Sequence, residues 1–239
     1  MLPLVFCVVT SRDGGVTWSQ PVGVAVTNAV GAFPVIRPNG DLVVVYLFGR
    51  RMGSAVSVDG GTSFGPTSTI AEVSEEEARG LRFFTLPSAD VDPTGRVWAT
   101  WHDCRFSPGC TSNSIVASTS TDGRTWTEPA QITTGRNALL PAVGIHPGNG
   151  RAAFLYYVVR PGNLVDAELV EVGPNLRRVG RTRRLSAQTM RPTWMPTTVS
   201  GRMLADYLSV HYAGGRPLAV WVLATEPVGG SLRQAVYAT

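Results

Sequence analysis

The chain has 239 residues, 44% of them hydrophobic and 16% charged, which excludes an intrinsically disordered chain and is enough for a sizeable core. The net charge of +4 comes entirely from arginine, because the sequence contains no lysine, and a pI set this way does not by itself argue for a nucleic-acid partner. No apolar stretch reaches the length of a transmembrane helix.

The opening Met1 to Val9 (MLPLVFCVV) lacks the basic start and small-residue cleavage site of a signal peptide and reads as a strand feeding a turn. The chain thus begins inside a structural repeat, and the expectation is that an upstream portion is missing. Four-stranded units then follow one another. The first strand of each follows an apolar-Pro step (Phe33-Pro34, Leu86-Pro87, Leu140-Pro141). A Gly turn leads to a continuously apolar second strand (DLVVVYLF, RVWATW, RAAFLYY, PLAVWV). Such runs suit strands covered on both faces. The series reads as a partial unit to Thr27, three whole units, and a last partial unit from Asp206 to Thr239, all within a single domain, 1–239.

The third and fourth strands are joined by a recurring turn: SRDGGVTW from Ser11 to Trp18, SVDGGTSF from Ser57 to Phe64, and STDGRTW from Ser120 to Trp126. An Asp-Gly pair between β-prone runs marks a hairpin, since Gly accepts positive φ and Asp bonds nearby N–H groups. The pattern resembles the Asp box of sialidases and other BNR-repeat β-propellers. The fourth unit has Gly173-Pro174-Asn175 in its place. Units of about 50 residues have propeller-blade size. The fold expected is therefore all-β, a β-propeller of four-stranded antiparallel blades, with five blades or partial blades visible of the six the resemblance implies.

In an up-and-down blade the Asp boxes share one face with the Gly turns. This assigns Ser11, Asp13, Gly15 and Trp18, Ser57, Asp59, Gly61 and Phe64, and Ser120, Asp122, Gly123 and Trp126 to turn-locking and to aromatic wedges between blades. The other face carries the irregular connections, Arg50 to Ser54, Glu72 to Thr85, Asp103 to Ser112, Arg160 to Leu164 and Gln188 to Ala205, and is where a site is expected.

Arg50, Arg105 and Arg160 each follow the Gly that opens the second strand by ten residues. Converging guanidinium groups hold carboxylates, as three arginines do in sialidases; the alternative is hydrated strand ends. Tyr207 beside Asp206 is the candidate nucleophile with its base, and Asp103 a candidate general acid. Glu72, Glu75, Glu76 and Glu77 are alternative bases, although Ser74 and Glu77 have capping-box spacing, which predicts a helical turn. Trp194 stacks on a sugar or packs on blade tops. The family's F-R-I-P type motif is absent.

Cys104 and Cys110 are spaced for a small disulfide, which implies an oxidising, secreted setting; free thiols are the alternative, and a zinc site with His102 lacks a fourth ligand. Cys7 reads as buried in a strand. Arg177, Arg178, Arg181, Arg183 and Arg184 form the one local basic excess, either a solvated strand or an anion-binding patch. The expected function is an exo-acting glycoside hydrolase on a sialylated or other acidic glycan, with no cofactor, metal, nucleic-acid partner or membrane span; the alternative is a non-catalytic propeller that binds glycan or protein.

Overall fold

The computed structural model describes residues 5–78 and 80–239, so the part of the opening-strand reading that falls on Met1 to Leu4 lies outside the described residues. Sheet I pairs β1 (Val5–Val8) with β2 (Val22–Thr27). Sheet II contains β3 (Ala29–Ile36), β4 (Leu42–Phe48), β5 (Arg51–Ser57) and β6 (Ser68–Glu72). Sheet III contains β7 (Ser88–Val91), β8 (Val97–Asp103), β9 (Ser114–Ser120) and β10 (Ala130–Gln131). Sheet IV contains β11 (Asn137–Ile145), β12 (Ala152–Arg160), β13 (Leu164–Val172) and β14 (Arg178–Arg184). After a small hairpin, β15 (Thr197–Thr198) with β16 (Gly201–Arg202), sheet V is completed by β17 (Ser209–Ala213), β18 (Arg216–Val228) and β19 (Ser231–Ala238). Within each sheet the strands pair antiparallel in chain order.

The apolar second strands are covered on both faces, as their composition requires. Trp98 and Trp101 of β8 are both fully buried, but on opposite sides: Trp98 packs with Phe154 of sheet IV, and Trp101 with Val43 and Met52 of sheet II. Each such burial contributes about 1.5–3 kcal/mol, so the sheets are held face to face chiefly by these strands. The innermost strands β3, β7, β11 and β17 stand side by side and line a cavity of about 340 Å³. Side chains of β7 stitch it to β11: Val143 N donates to Ser88 Oγ (3.2 Å) and Ile145 N to Asp90 Oδ2 (2.7 Å). The result is propeller-like.

The tight turns lie at one end. Arg12 donates to Asp59 O (3.2 Å), Arg37 to Gly95 O (2.9 Å) and Thr121 O (2.5 Å), and Arg96 to Pro174 O (3.0 Å), each joining a turn of one sheet to a turn of another. Within an Asp box the Ser hydroxyl donates to the Asp carboxylate and accepts a Gly N–H, while the Asp accepts from the residue that closes the turn. In the first box these distances are 2.9 Å for Ser11 to Asp13, 2.7 Å for Gly15 N to Ser11 and 2.9 Å for Thr17 N to Asp13. The other boxes repeat the geometry around Asp59 and Asp122.

Several sequence expectations are corrected. Trp126 wedges between sheets, donating to Ser54 Oγ (3.0 Å), and Phe64 packs between sheets I and II, but Trp18 is 61% exposed and makes no wedge. Arg50 to Ser54 and Arg160 to Leu164 are not irregular loops, because β5 begins at Arg51 and β13 at Leu164. Cys7 is exposed rather than buried. The capping box does not form a helical turn: the backbone of Ser74 and Glu76 bonds to sheet III instead, with Cys104 N donating to Ser74 O (2.8 Å) and Glu76 N to Asn113 Oδ1 (2.9 Å). Tertiary partners outcompete the local cap.

Candidate functional site

The end opposite the tight turns carries the described residues 73–78 and 80–87, the loop after β8 and the segment 187–208. The first is anchored by the second. Cys104 and Cys110 form a disulfide that closes the β8–β9 loop, and residues of that loop grip the backbone of 72–76: Arg105 donates to Glu72 O, and Asn113 Nδ2 to Glu76 O (2.7 Å). Asn113, itself fully buried, also donates its backbone N–H to Asn137 Oδ1 of β11 (3.0 Å). Glu75 is thereby held over the sheet III–sheet IV junction.

Glu75 is the outer member of a hydrogen-bonded chain. Leu140 takes a positive φ of 52° in a bulge of β11, and its N–H donates to His102 Nδ1 (3.2 Å). With Nδ1 accepting, the ring's Nε2–H faces outward and donates to Thr85 Oγ1 (2.8 Å), whose hydroxyl donates to Glu75. His102 is buried, while Glu75 is 43% exposed. The His102 ring, more than burial can offset and with help from Thr85, holds the Glu75 carboxyl below its ordinary value, and Arg50 adds a positive field. Glu75 is kept as a carboxylate at neutral pH.

Glu75 lines a pocket of about 300 Å³ together with Arg82, Phe83, Phe84 and Leu139. Arg82 pairs with Asp206 (2.6 Å) and lies over the Phe84 ring, 4.8 Å from its centroid. Phe83 leans on Tyr157, with ring centroids 5.8 Å apart. The pocket combines an anion fixed by a buried ring, a cation fixed by a carboxylate, and an aromatic wall. That inventory suits a hydroxyl-rich ring whose apolar face meets Phe84 and whose hydroxyls bond to the charged groups.

The three equally spaced arginines are placed differently from one another. Arg105 pairs with the fully buried Asp103 (2.8 Å), which also accepts from Trp101 Nε1 (3.0 Å) and from the Arg105 backbone N–H (2.9 Å). Asp103 is thus saturated with donors. Arg160 pairs with buried Asp166 (2.6 Å) and Glu168 (3.2 Å), a cluster completed by Arg136 and Arg184. Arg50 makes no ion pair among the described residues. Tyr207 is 66% exposed, and its neighbour Asp206 is engaged by Arg82. Trp194 packs against the core between sheets IV and V. Glu75 was among the sequence candidates, but Thr85 and His102, which organise it, were not assigned to it. Among the described residues no group of His, Cys, Asp and Glu side chains could hold a metal ion. No helix there is long and apolar enough to cross a membrane.

No protein-family model matches the sequence, and no curated protein is significantly similar to it. Solved structures do share its fold. An α-L-arabinanase from Penicillium chrysogenum, complexed with arabinobiose, aligns with a TM-score of 0.59 at 14% identity over 91% of this chain and 67% of its own. An α-L-arabinofuranosidase from Fusarium graminearum aligns at 0.55 and 15% identity over 99% and 85%. A Hadza microbial sialidase aligns at 0.54 and 17% identity over 87% and 44%, so the chain spans less than half that enzyme's length. The shared property is the fold of propeller-like glycosidases.

Proposed function

We propose that this chain is a secreted, single-domain glycosidase of the sialidase-like Asp-box type that takes a carbohydrate in the loop-end pocket. Glu75 serves as its ionised carboxylate. The observation that carries the reading is the chain from Leu140 N–H through His102 and Thr85 to Glu75, ending in a pocket walled by Arg82 and Phe84. A carboxylate held ionised acts as a base toward water or as a nucleophile toward the anomeric carbon, and not as the proton donor. The proton donor is then Glu76 or Glu77, which line the same pocket. Asp206 holds Arg82 for the substrate's hydroxyls or an acidic group, and Arg50 adds positive field at the rim. Asp103 and Arg105 anchor the backbone leading to Glu75, and Arg160 belongs to the ion-pair cluster of sheet IV. The disulfide between Cys104 and Cys110 favours an oxidising compartment.

The test is hydrolysis of chromogenic α-L-arabinofuranoside, sialoside and other glycosides by the chain and by Glu75→Gln. Turnover of one substrate that falls by about 10²–10⁴ in the variant supports the proposal. Equal turnover in both proteins removes Glu75.

A non-catalytic glycan-binding role is the second reading. It is favoured by the neutralisation of Arg105 and Arg160, by the exposure of Tyr207 and by the engagement of its neighbour Asp206 with Arg82. Saturable sugar binding with no turnover of any glycoside would establish it.

A further inference from the structure

At the tight-turn end, between sheets IV and V, lies a groove of about 720 Å³, larger than the loop-end pocket. Its lining contains Arg151 just before β12, Arg183 of β14 and Arg216 at the start of β18, against a single acid, Glu171. Placement follows from register. Ala153 pairs with Glu171 and Leu169 with Arg183, so Arg151, Glu171 and Arg183 project from one face of sheet IV. Leu169 on that face packs with Ala219 and Trp221 of sheet V, which fixes the direction of the three charged groups toward the groove.

The charges do not cancel. Glu171 is engaged by the Tyr212 hydroxyl, which donates to it at 2.6 Å, and by Arg151 at 3.8 Å. Arg183 and Arg216 make no ion pair or side-chain hydrogen bond among the described residues. Arg177 and Arg181, also without an ion pair there, stand on the exposed outer strand and its preceding turn. Pro217 and the 40% exposed Leu218 supply an apolar floor beside the guanidinium groups.

We infer that this groove is a second ligand site, for an anionic oligosaccharide bound through its carboxylate or sulfate groups. Guanidinium pairs bind such groups by parallel hydrogen bonds, and a groove of several hundred Å³ with an apolar floor receives a sugar ring edge-on or face-on. The lining residues include no aromatic side chain on which a base could stack, which argues against a single-stranded nucleic acid. The site lies at the opposite end from Glu75 and does not depend on the glycosidase reading. It would anchor an acidic polymer on the outside of the fold.

Calorimetric titration tests this with oligogalacturonate and heparin-derived oligosaccharides, with inorganic sulfate, neutral arabino-oligosaccharide and a single-stranded oligonucleotide as comparisons. The expected result is saturable binding of at least one acidic oligosaccharide, weakening as salt rises, and reduced at least tenfold in the doubly substituted Arg183→Gln/Arg216→Gln protein. That protein should melt as the parent does, and Arg82→Gln should leave the binding intact. The inference is overturned by absence of acidic-sugar binding, by equal binding in the double variant, by sulfate binding as tightly as the oligosaccharides, or by tighter binding of the oligonucleotide. Loss of binding in Arg82→Gln but not in the double variant would move the ligand to the loop-end pocket and would equally overturn it.

Discussion

The backbone N–H of Leu140 donates to His102 Nδ1 across 3.2 Å, and this bond decides which ring nitrogen is turned toward Thr85 and Glu75. Its consequence is a pH profile. The Glu75 carboxyl lies below its ordinary value of 4.5, so its interactions are fully present above that value and are lost as pH falls through the lower folded-state value. Turnover of a glycoside should therefore keep its acidic limb below pH 4.5. In His102→Gln the limb should move up toward 4.5, and kcat/KM at neutral pH should fall about tenfold, a difference of ~1.4 kcal/mol. An unmoved limb would show that the ring does not govern Glu75.

Arg105 and Arg160 each hold a carboxylate that is almost fully withdrawn from water, Asp103 and Asp166. Removing a guanidinium leaves a buried charge with fewer partners, a change that costs about 3–5 kcal/mol for a wholly buried pair. Both arginines are partly exposed, so the expected cost of Arg105→Ala or Arg160→Ala is nearer 2–3 kcal/mol. Denaturant midpoints measure it. If these arginines instead grip a substrate carboxylate, the midpoints will hold and KM for an acidic glycoside will rise.

The Asp boxes should give the fold resistance to acid. Asp13 and Asp59 are held at about 2, chiefly by the Thr17 and Ser63 hydroxyls; Asp122 is also at about 2, where burial opposes ionisation but the Thr125 and Arg124 N–H groups outweigh it. Each is depressed from 3.8, so its contribution is complete above that value and disappears as pH drops through about 2. Asp122→Asn should cost about 1 kcal/mol at pH 7 and flatten the fall of Tm between pH 4 and pH 2. A parallel pair of Tm curves would exclude this role.

The repeat was legible in the sequence because its determinants are local. An Asp, a Gly and a hydroxyl within five residues build each turn, and a run such as DLVVVYLF can only be covered on both faces. The pocket was not legible for the opposite reason. Glu75, Thr85, His102 and Leu140 come from three separate connections and strands, with Thr85 17 residues from His102 and Leu140 38 residues from it. Local pattern also misled at Ser74, where a capping box was outcompeted by Cys104 and Asn113. The equal spacing of Arg50, Arg105 and Arg160 falls at or just after the ends of the second strands, but it carries no information on their partners: Arg105 pairs with Asp103, two residues earlier at the end of β8, and Arg160 with Asp166 and Glu168 of the neighbouring strand β13.

Gly144 of β11 sets how closely the inner strands approach. A Cβ there would lie 2.1 Å from Val210 O of β17, a backbone atom that moves only if the strand moves. Gly144→Ala should therefore cost on the order of 4 kcal/mol, at the upper end for a single substitution. A control at Gly162, whose Cβ would meet nothing but whose φ is 79°, separates crowding from backbone strain. Equal losses of Tm at both positions would mean that the strands are not pressed together as described.

The Cys104–Cys110 disulfide closes a loop whose cysteines are six residues apart, for which chain entropy predicts about 2 kcal/mol of stabilisation. Its second effect is on Glu75, because Cys104 N holds Ser74 O (2.8 Å) and Arg105 reaches Glu72 O from the same loop. Replacing both cysteines by Ala should lower the denaturant midpoint by that amount and speed amide hydrogen exchange at the Cys104 N–H and at the Glu76 N–H, which bonds to Asn113. Turnover should fall more than stability alone explains, since the carboxylate would no longer be held over the His102 relay. Exchange at both amides that matched the oxidised parent would show that the disulfide does not transmit rigidity to the pocket.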